Sequence, residues 1–232
     1  MPIFQLLYIN VITTPIAIFK HIAIKRIIFT FIMVVSSLYA MTQLSHAQDK
    51  KIILAFGDSL TAGYGLAPGE GFTDQLEDTL NAIGTNVIVI NAGVSGDTSS
   101  GGLSRLEWVL ANLAQVDLVI LALGGNDALR GIQPEFTRSN IDKMASILKD
   151  KEISTLIAGM MAPPNLGQVY AQDFNSIFPD TAEKYDADLY PFFLDGVAGF
   201  IELNQNDRIH PNPRGVKIIT AKMASSIIEA LK

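Results

Sequence analysis

The chain of 232 residues contains no cysteine and only three histidines. The absence of cysteine excludes a thiol nucleophile, a cysteine-ligated zinc site and any disulfide bond. Two of the histidines, His21 and His46, belong to the first 47 residues, which leaves His210 as the only histidine beyond them. A catalytic zinc ion needs three protein ligands, commonly including histidine. Carboxylates alone can bind Ca²⁺ or Mg²⁺, and that alternative stays open, but no loop has the ligand spacing that indicates such a site. The sequence therefore predicts no metal or other cofactor, and any histidine base must be His210.

Acidic residues are missing from residues 1–47, which carry three basic residues and no acid. Lys25 and Arg26 precede the apolar run IIFTFIMVVSSLYAM, and Ser45-His46-Ala47 then places small residues at the two positions that a signal peptidase reads. This pattern predicts a signal peptide or N-terminal leader over residues 1–47, with cleavage after Ala47 and export to a bacterial periplasm or to the medium.

Three alternatives to this processing stay open, because a leader of 47 residues is long. Translation can start later, near Ile24, or an uncleaved single anchor can extend over residues 27–44. The third is a two-helix membrane hairpin, which the polar residues and Pro15 in its first span disfavour. In the cleaved form, residues 48–232 are expected to contain no stable membrane span.

Positive charge is scarce in residues 48–232, which hold 14 lysines and arginines against 23 acids, a formal charge of −9. Proteins bind nucleic acids mainly through basic patches that neutralise phosphates, so this composition argues against a nucleic-acid partner. With 49% hydrophobic and 17% charged residues, the chain has enough apolar side chains for the core of one domain.

Apolar runs of strand length alternate with amphipathic stretches of helix length from residue 50 onward. The runs are rich in Ile, Val and Leu without regular alternation, which is typical of strands buried on both faces of a parallel sheet. Five such βα units predict an α/β fold, a three-layer αβα sandwich around a parallel sheet of about five strands. The predicted strands are 51–56, 86–91, 117–123, 154–160 and 187–193, and the predicted helices are 71–83, 99–114, 135–150, 170–185 and 213–231.

The residues that follow the first strand include a candidate nucleophile, since ligands of such sheets bind beyond the carboxyl ends of the strands. Gly57 permits a sharp backbone turn that lifts Ser59 into the crevice. One interpretation is that Asp58 or Ser59 only caps the next segment. The other is that Ser59 is a nucleophile, which requires a base to take its proton.

The base available to Ser59 is His210, in the segment DRIHPNPRG before the last helix. Asp207 precedes it by three residues, a spacing that can bring both side chains to one side of a turn. A carboxylate there can accept a hydrogen bond from the imidazole Nδ1–H and hold the tautomer that a general base requires. Asp97 and Asp127 are alternative acids without this local geometry, and a solvated His-Pro turn is the non-catalytic alternative.

Donors for a developing oxyanion also follow the strands. Gly93 lies after the second strand and Asn126 after the third, and the backbone N–H of Ser59 is a third donor. Glycine and asparagine are also ordinary loop residues. It is their combination with Ser59, Asp207 and His210 at strand ends or in loops that predicts a hydrolytic site.

Four sequence blocks, FGDSL, NAGVSGDT, GGND and DRIHP, resemble in this order the GDSL or SGNH hydrolase superfamily, which is marked by Ser, Gly, Asn and His in separate blocks. The likeness extends from about residue 51 to the C-terminal helix. It is greatest to the bacterial periplasmic branch of thioesterase I, arylesterase and lysophospholipase, through GGLSRLEW, GGNDALRG and YPFFLDGVAG. The resemblance implies a flavodoxin-like SGNH hydrolase domain over residues 48–232.

The resemblance also implies the roles of individual residues. Ser59 is the expected nucleophile, His210 the base and Asp207 the residue that orients it. The backbone N–H groups of Ser59 and Gly93 and the side chain of Asn126 are the expected oxyanion hole. Arg208 departs from the branch, which often has a small residue between the acid and the histidine.

The expected reaction is hydrolysis of a small-molecule carboxylic ester or thioester through an acyl-enzyme. An acyltransferase on the same site and a non-catalytic lipid- or carbohydrate-binding envelope protein are the alternatives. Other motifs are absent: no G-x-S-x-G elbow, P-loop or dinucleotide-binding glycine pattern is present. Phe192, Phe193 and Phe200 can line an apolar groove or pack in the core, and by resemblance the loop of residues 128–134 can gate an acyl chain.

Overall fold

The computed structural model describes residues 28–36 and 50–232. Residues 28–36 are helical, and all nine side chains are exposed. No helix within these two ranges is long and apolar enough to span a membrane. The predicted cleavage after Ala47 and half of the alternative anchor at 27–44 lie outside the described residues. Residues 50–232 form a separate compact unit.

This unit is built around a parallel sheet of five strands in the order β2-β1-β3-β4-β5. The central strands are buried on both faces, as the unbroken apolar runs predict: Val119, Ile120 and Leu121 of β3 are each at most 1% exposed. The strands are β1 (Lys51–Gly57), β2 (Val87–Gly93), β3 (Leu118–Ala122), β4 (Ser154–Ala158) and β5 (Asp188–Tyr190).

Eight α-helices are described in residues 50–232. They are α1 (Ser59–Ala62), α2 (Phe72–Ala82), α3 (Ser99–Ala111), α4 (Gly125–Leu129), α5 (Pro134–Asp150), α6 (Gln168–Asn175), α7 (Ile177–Tyr185) and α8 (Pro213–Ala230). Two of them, α1 and α4, are short helices that begin within three residues of the end of a strand.

The helices that connect successive strands lie on both faces of the sheet, which gives the three predicted layers. The chain passes from β1 to β2 in one direction and from β2 through β3 and β4 to β5 in the other. Because parallel crossovers are right-handed, α2 lies on one face of the sheet and α3, α5 and α7 lie on the other. Helix α8 packs against α2. The order of the strands reverses between β1 and β3, which is where such sheets bind ligands.

Two proline residues explain where the predicted elements differ from the observed ones. The predicted helix 170–185 is two helices, α6 and α7, separated at Ser176. Pro179 has no N–H to donate to the carbonyl four residues earlier, so it is tolerated only in the first turn of a new helix. The predicted strand 187–193 ends at Tyr190 because Pro191 cannot donate to the ladder.

Candidate active site

Ser59 is presented by the turn that joins β1 to α1. Asp58 caps α1, since its Oδ1 accepts the backbone N–H of Leu60 at 3.0 Å. Ser59 is the first residue of the helix, so its own N–H has no partner within the helix. A Cβ at Gly57 would lie 2.1 Å from Thr61 Oγ1 and 2.7 Å from the Ala122 carbonyl oxygen. The helix cap considered from the sequence is thus supplied by Asp58, and Ser59 is not needed for capping and faces the cavity.

Ser59, His210 and Asp207 are joined by two hydrogen bonds. Ser59 Oγ lies 2.8 Å from His210 Nε2, and His210 Nδ1 lies 2.7 Å from Asp207 Oδ2. Asp207 Oδ1 also accepts the backbone N–H groups of Ile209 at 2.9 Å and His210 at 3.0 Å. The i, i+3 spacing therefore places the carboxylate and the imidazole on one side of a turn, as predicted.

These contacts change the acidity of Asp207. Desolvation raises the pKa of this carboxyl, but hydrogen bonds from the His210 and Ile209 backbone N–H groups and from the imidazole outweigh it and lower the pKa to about 2. Asp207 is therefore ionised at neutral pH and able to stabilise a positive charge on the imidazole.

The other two acids considered from the sequence are held by different partners. Asp97 Oδ2 accepts the Arg105 Nε–H at 2.8 Å. Asp127 is 1% exposed and accepts hydrogen bonds from the Ser99 N–H at 2.8 Å and from the Ser99 hydroxyl at 2.5 Å. Neither carboxylate is hydrogen-bonded to His210 in the part of the chain that the structure describes.

Asn126 lies on the cavity wall together with Ser59 and His210. It belongs to α4, which begins three residues after the last residue of β3. Asn126 Nδ2 donates to Asp58 Oδ2 at 3.1 Å, so one amide hydrogen is used to fix the side chain and the other is left for a ligand. The predicted pair of donors, the Ser59 N–H and the Asn126 amide, thus borders one cavity.

Gly93, the third predicted donor, is not brought to the cavity. Its N–H donates to Asn91 Oδ1 at 2.9 Å, and Gly93 is absent from the cavity wall. Its lack of a side chain serves packing instead, because a Cβ at Gly93 would lie 2.3 Å from the Ala62 backbone nitrogen. Gly96, three residues later in the same block, lines the cavity and has a positive φ of 82°. The structure therefore places Gly96, and not the predicted Gly93, on the wall of the cavity.

The buried acid beside Ser59 has an unusual acidity. Asp58 is 2% exposed, and burial raises its pKa to about 6. The hydrogen bonds from the Leu60 N–H and from Asn126, together with the charge on His210, oppose the effect of burial, and the charge on Asp97 adds to it. Asp58 is therefore close to its titration range at neutral pH.

Two contacts around His210 could not be read from the sequence. The rings of Tyr64 and His210 lie 4.7 Å apart between centroids. Gln205 donates from Nε2 to the Tyr64 carbonyl oxygen at 2.7 Å, and its backbone N–H donates to the His210 carbonyl oxygen at 2.7 Å. Gln205 thus ties the turn that carries His210 to the segment after α1, and 141 residues separate it from Tyr64. No local motif signals a contact over this distance.

The cavity beside Ser59 has a volume of about 640 Å³ and mostly apolar walls, within the size range of small-molecule sites. Of the three phenylalanines considered, Phe192 lines the cavity, Phe193 is 1% exposed and packs against Phe72 in the core, and Phe200 is exposed outside the cavity wall. The loop at 128–134 contributes Ala128 and Leu129. The other apolar wall residues include Leu60, Met160, Met161, Ala162, Pro163, Pro164, Leu194, Ala198 and Ile209.

Comparisons with known proteins agree with this fold and site. The model of the GDSL-like lipase/acylhydrolase family matches residues 55–218. An arylesterase of Vibrio mimicus is 36% identical over 193 residues, which cover 83% of this chain and 95% of the relative. The thioesterase 1/protease 1/lysophospholipase L1 of Escherichia coli (strain K12) is 35% identical over 175 residues, 75% of this chain and 82% of the relative. The crystal structure of AlinE4, an SGNH-hydrolase family esterase, has a TM-score of 0.67 and 46% identity over 79% of this chain and 98% of that chain.

The fold and the site define a serine hydrolase that acts on ester bonds. The sheet order places Ser59 at the reversal point between β1 and β3, beside an imidazole and an apolar cavity. The family model covers well over half of the chain, and the chain belongs to the GDSL-like lipase/acylhydrolase family. The resemblance inferred from the four sequence blocks is confirmed.

Proposed function

We propose that the chain hydrolyses carboxylic esters or thioesters through an acyl-enzyme on Ser59. The observation that carries the proposal is the pair of hydrogen bonds from Ser59 Oγ to His210 Nε2 at 2.8 Å and from His210 Nδ1 to Asp207 Oδ2 at 2.7 Å. A serine hydroxyl becomes an effective nucleophile only when an adjacent base takes its proton. His210 is within reach to do this, and Asp207 fixes the tautomer that leaves Nε2 free to accept.

The reaction begins when the Ser59 Oγ–H proton passes to His210 Nε2 and Oγ attacks the acyl carbon. The carbonyl oxygen becomes an oxyanion that accepts hydrogen bonds from the Ser59 N–H, the Asn126 amide and the Gly96 N–H. As the tetrahedral intermediate collapses, the bond to the alcohol or thiol breaks and His210 returns its proton to that leaving group. The acyl group is then bound to Ser59 as an ester.

Water completes the reaction on the same groups. His210 takes a proton from a water molecule, whose oxygen attacks the acyl carbon, and the second tetrahedral intermediate uses the same donors. Collapse breaks the bond to Ser59 Oγ, which recovers its proton from His210, and the carboxylic acid leaves. The apolar cavity walls favour an aliphatic or aryl acyl group over a charged one.

The test of this proposal is hydrolysis of p-nitrophenyl esters from acetate to palmitate by the wild type and by Ser59→Ala. We expect the substitution to abolish turnover and labelling by a fluorophosphonate probe, while circular dichroism stays unchanged. Ser225→Ala, which alters an exposed serine of α8, is the matched control and should retain both. Turnover and labelling that persist in Ser59→Ala would refute Ser59 as the nucleophile.

We also propose that residues 1–47 direct export and are removed after Ala47. Support comes from the basic pair Lys25 and Arg26, the apolar run behind them and the small residues Ser45 and Ala47. Edman sequencing of the protein recovered from the periplasmic fraction should begin at Gln48. Recovery of the uncleaved chain from the membrane fraction would instead support an anchor.

A further inference from the structure

Arg208 lies on the wall of the cavity, two residues before His210. Its backbone has a positive φ of 61°, a conformation that costs a residue other than glycine about 1 kcal/mol or more. The turn is fixed by the Arg208 N–H, which donates to the Gln205 carbonyl oxygen at 2.9 Å, and by the two N–H groups that Asp207 accepts. None of these bonds uses the Arg208 side chain. The turn therefore explains the backbone conformation but gives no reason for an arginine there.

The Arg208 guanidinium has no ion pair or hydrogen bond with any side chain or carbonyl in residues 28–36 and 50–232. In contrast, Arg105 bonds to Asp97, Arg130 to the Gly96 carbonyl oxygen and Arg138 to Asp180. Arg208 is exposed, so its planar set of five donors is available to a ligand in the cavity.

Arg208 is a positively charged residue in a part of the chain whose net charge is negative. The ionisable side chains on the cavity wall, apart from Tyr64, are Asp58, Arg208 and His210, and Arg208 is the only one of these that is always positive. Asp207 adds a negative charge behind His210, and residues 48–232 carry a formal charge of −9. Without Arg208, the cavity wall would carry no permanently positive side chain to attract a negatively charged substrate.

The position of Arg208 beside His210 indicates which part of the substrate it contacts. In the proposed mechanism His210 returns a proton to the departing alcohol or thiol, so the wall next to His210 borders the leaving group. The remaining walls are mostly apolar and suit the acyl group. We propose that Arg208 is a specificity-determining residue that binds an anionic group, a carboxylate or a phosphate, on the alcohol or thiol portion of the substrate. This inference rests on the proposed function of Ser59 and His210.

The test uses pairs of substrates that differ by an anionic group in the leaving group. One pair is p-nitrophenyl butyrate and its carboxylate-bearing analogue carboxynitrophenyl butyrate, and the other is the butyryl thioester of N-acetylcysteamine and butyryl coenzyme A. The quantity measured is the ratio of kcat/KM for the anionic substrate to that for the neutral one. The carboxylate pair and the phosphate-bearing pair distinguish the two sources of negative charge, and an effect on either pair supports the proposal.

Arg208→Asn removes the charge and keeps a residue that tolerates a positive φ. We expect it to lower the ratio about two- to fivefold, the range of an exposed charge pair, and we expect Arg208→Glu to lower it further. Arg208→Gly is a second neutral variant, suited to the same backbone. Arg214→Asn is the matched control, because Arg214 is also exposed and outside the cavity wall, and its ratio should equal that of the wild type.

Salt gives an independent readout of the same contact. Raising the ionic strength from about 10 mM to about 0.5 M should reduce the wild-type ratio and leave that of Arg208→Asn nearly constant, because salt screens exposed charges. Equal ratios in the wild type and in both neutral Arg208 variants for both substrate pairs would overturn the inference. If the wild type instead hydrolysed the neutral esters no faster than Ser59→Ala, the proposed function would be overturned. A failure of the inference can therefore be distinguished from a failure of the proposed function.

Discussion

Asp58 Oδ2 accepts a hydrogen bond from Asn126 Nδ2 at 3.1 Å, while Asp58 Oδ1 caps the helix that begins with Ser59. One buried carboxyl group thus fixes the turn that carries the proposed nucleophile and the amide that is proposed to bind the oxyanion. The two groups come from the ends of β1 and β3, which are neighbours in the sheet. Their relative position is therefore set by the sheet and by this single side chain.

Replacing Asn126 with alanine should lower kcat by about 10²–10³, the usual effect of removing one oxyanion donor. KM should change much less, because the contact strengthens as the carbonyl oxygen becomes charged. Steady-state kinetics on a p-nitrophenyl ester checks this, with circular dichroism as the test of folding. A folded Asn126→Ala protein with wild-type kcat would exclude Asn126 from the oxyanion site.

The substitution Asp58→Asn should also lower kcat, but by less than Asn126→Ala. The new amide can still cap α1 through its oxygen, yet it presents an N–H₂ group to Asn126 where the carboxylate had accepted a hydrogen bond. Asn126 then loses its orientation but keeps its donors. The double variant Asp58→Asn/Asn126→Ala should therefore have a kcat only slightly below that of Asn126→Ala. If the two residues acted independently, the two reductions in kcat would multiply.

Asp58 should make the folded state less stable as the pH rises. Its pKa is about 6 in the folded protein against 3.8 for the free side chain, so between these values the folded state binds more protons than the unfolded state. The free energy of unfolding then decreases with increasing pH across this window. Relative to Asp58→Asn, the wild type should lose on the order of 2 kcal/mol between about pH 4 and about pH 7. Urea denaturation of both proteins measures the difference, and parallel pH profiles would contradict it.

Arg105 should be important for stability because it joins three structural parts near the site. Its guanidinium donates to Asp97 at 2.8 Å, to the Ala92 carbonyl oxygen at 2.9 Å and to the Gly57 carbonyl oxygen at 3.0 Å. Arg105→Met removes all three hydrogen bonds and the positive charge beside the partly buried Asp97 carboxylate, and it should cost about 3 kcal/mol of unfolding free energy. Lys149→Met breaks an exposed ion pair with Asp186 and should cost less than about 1 kcal/mol. Similar losses of unfolding free energy in both variants would show that the hydrogen bonds of Arg105 contribute no more to stability than an exposed ion pair.

Two adjacent phenylalanines should respond differently to truncation. Phe193→Ala removes a ring that is 1% exposed and packed against Phe72, and it should cost about 3–5 kcal/mol of stability. Phe192 lines the cavity instead. Phe192→Ala should destabilise the protein less and shift the preferred p-nitrophenyl ester toward longer acyl chains, because it enlarges the space for the chain. If both variants lost a similar amount of stability and Phe192→Ala kept the wild-type chain-length preference, both rings would have to be regarded as core residues.

The sequence predicted the sheet and the residues close to His210 well, because both depend on local patterns. Long apolar runs identify strands that are buried on both faces, and the i, i+3 spacing of Asp207 and His210 describes one turn. The contact of Ser59 with His210 joins residues 151 positions apart. It could be inferred because residues 48–232 contain a single histidine and because the sequence blocks that contain both residues resemble those of a known hydrolase superfamily.

The position of Gly93 away from the cavity wall has a physical cause. Gly93 and Gly96 occur in one short block, and both positions require glycine, but for different reasons. Gly93 makes room for the backbone of α1, whereas Gly96 takes a positive φ at the cavity wall. The sequence shows the residue type and not the reason for it. The same limit applies to Tyr64 and Gln205, whose contacts with the His210 turn depend on the packing of distant segments.

The distance of 151 residues between Ser59 and His210 also has a consequence for when activity can arise. Ser59 is contributed by the first βα unit, and His210 follows the last strand, only 22 residues before the C-terminus of the 232-residue chain. Under the proposed mechanism, a nascent or partly translocated chain has a serine without its base and cannot cleave acyl esters. If the proposed mechanism and the proposed export both hold, the enzyme is inactive during synthesis and export, and hydrolysis begins only when the segment that carries His210 has folded against the first βα unit.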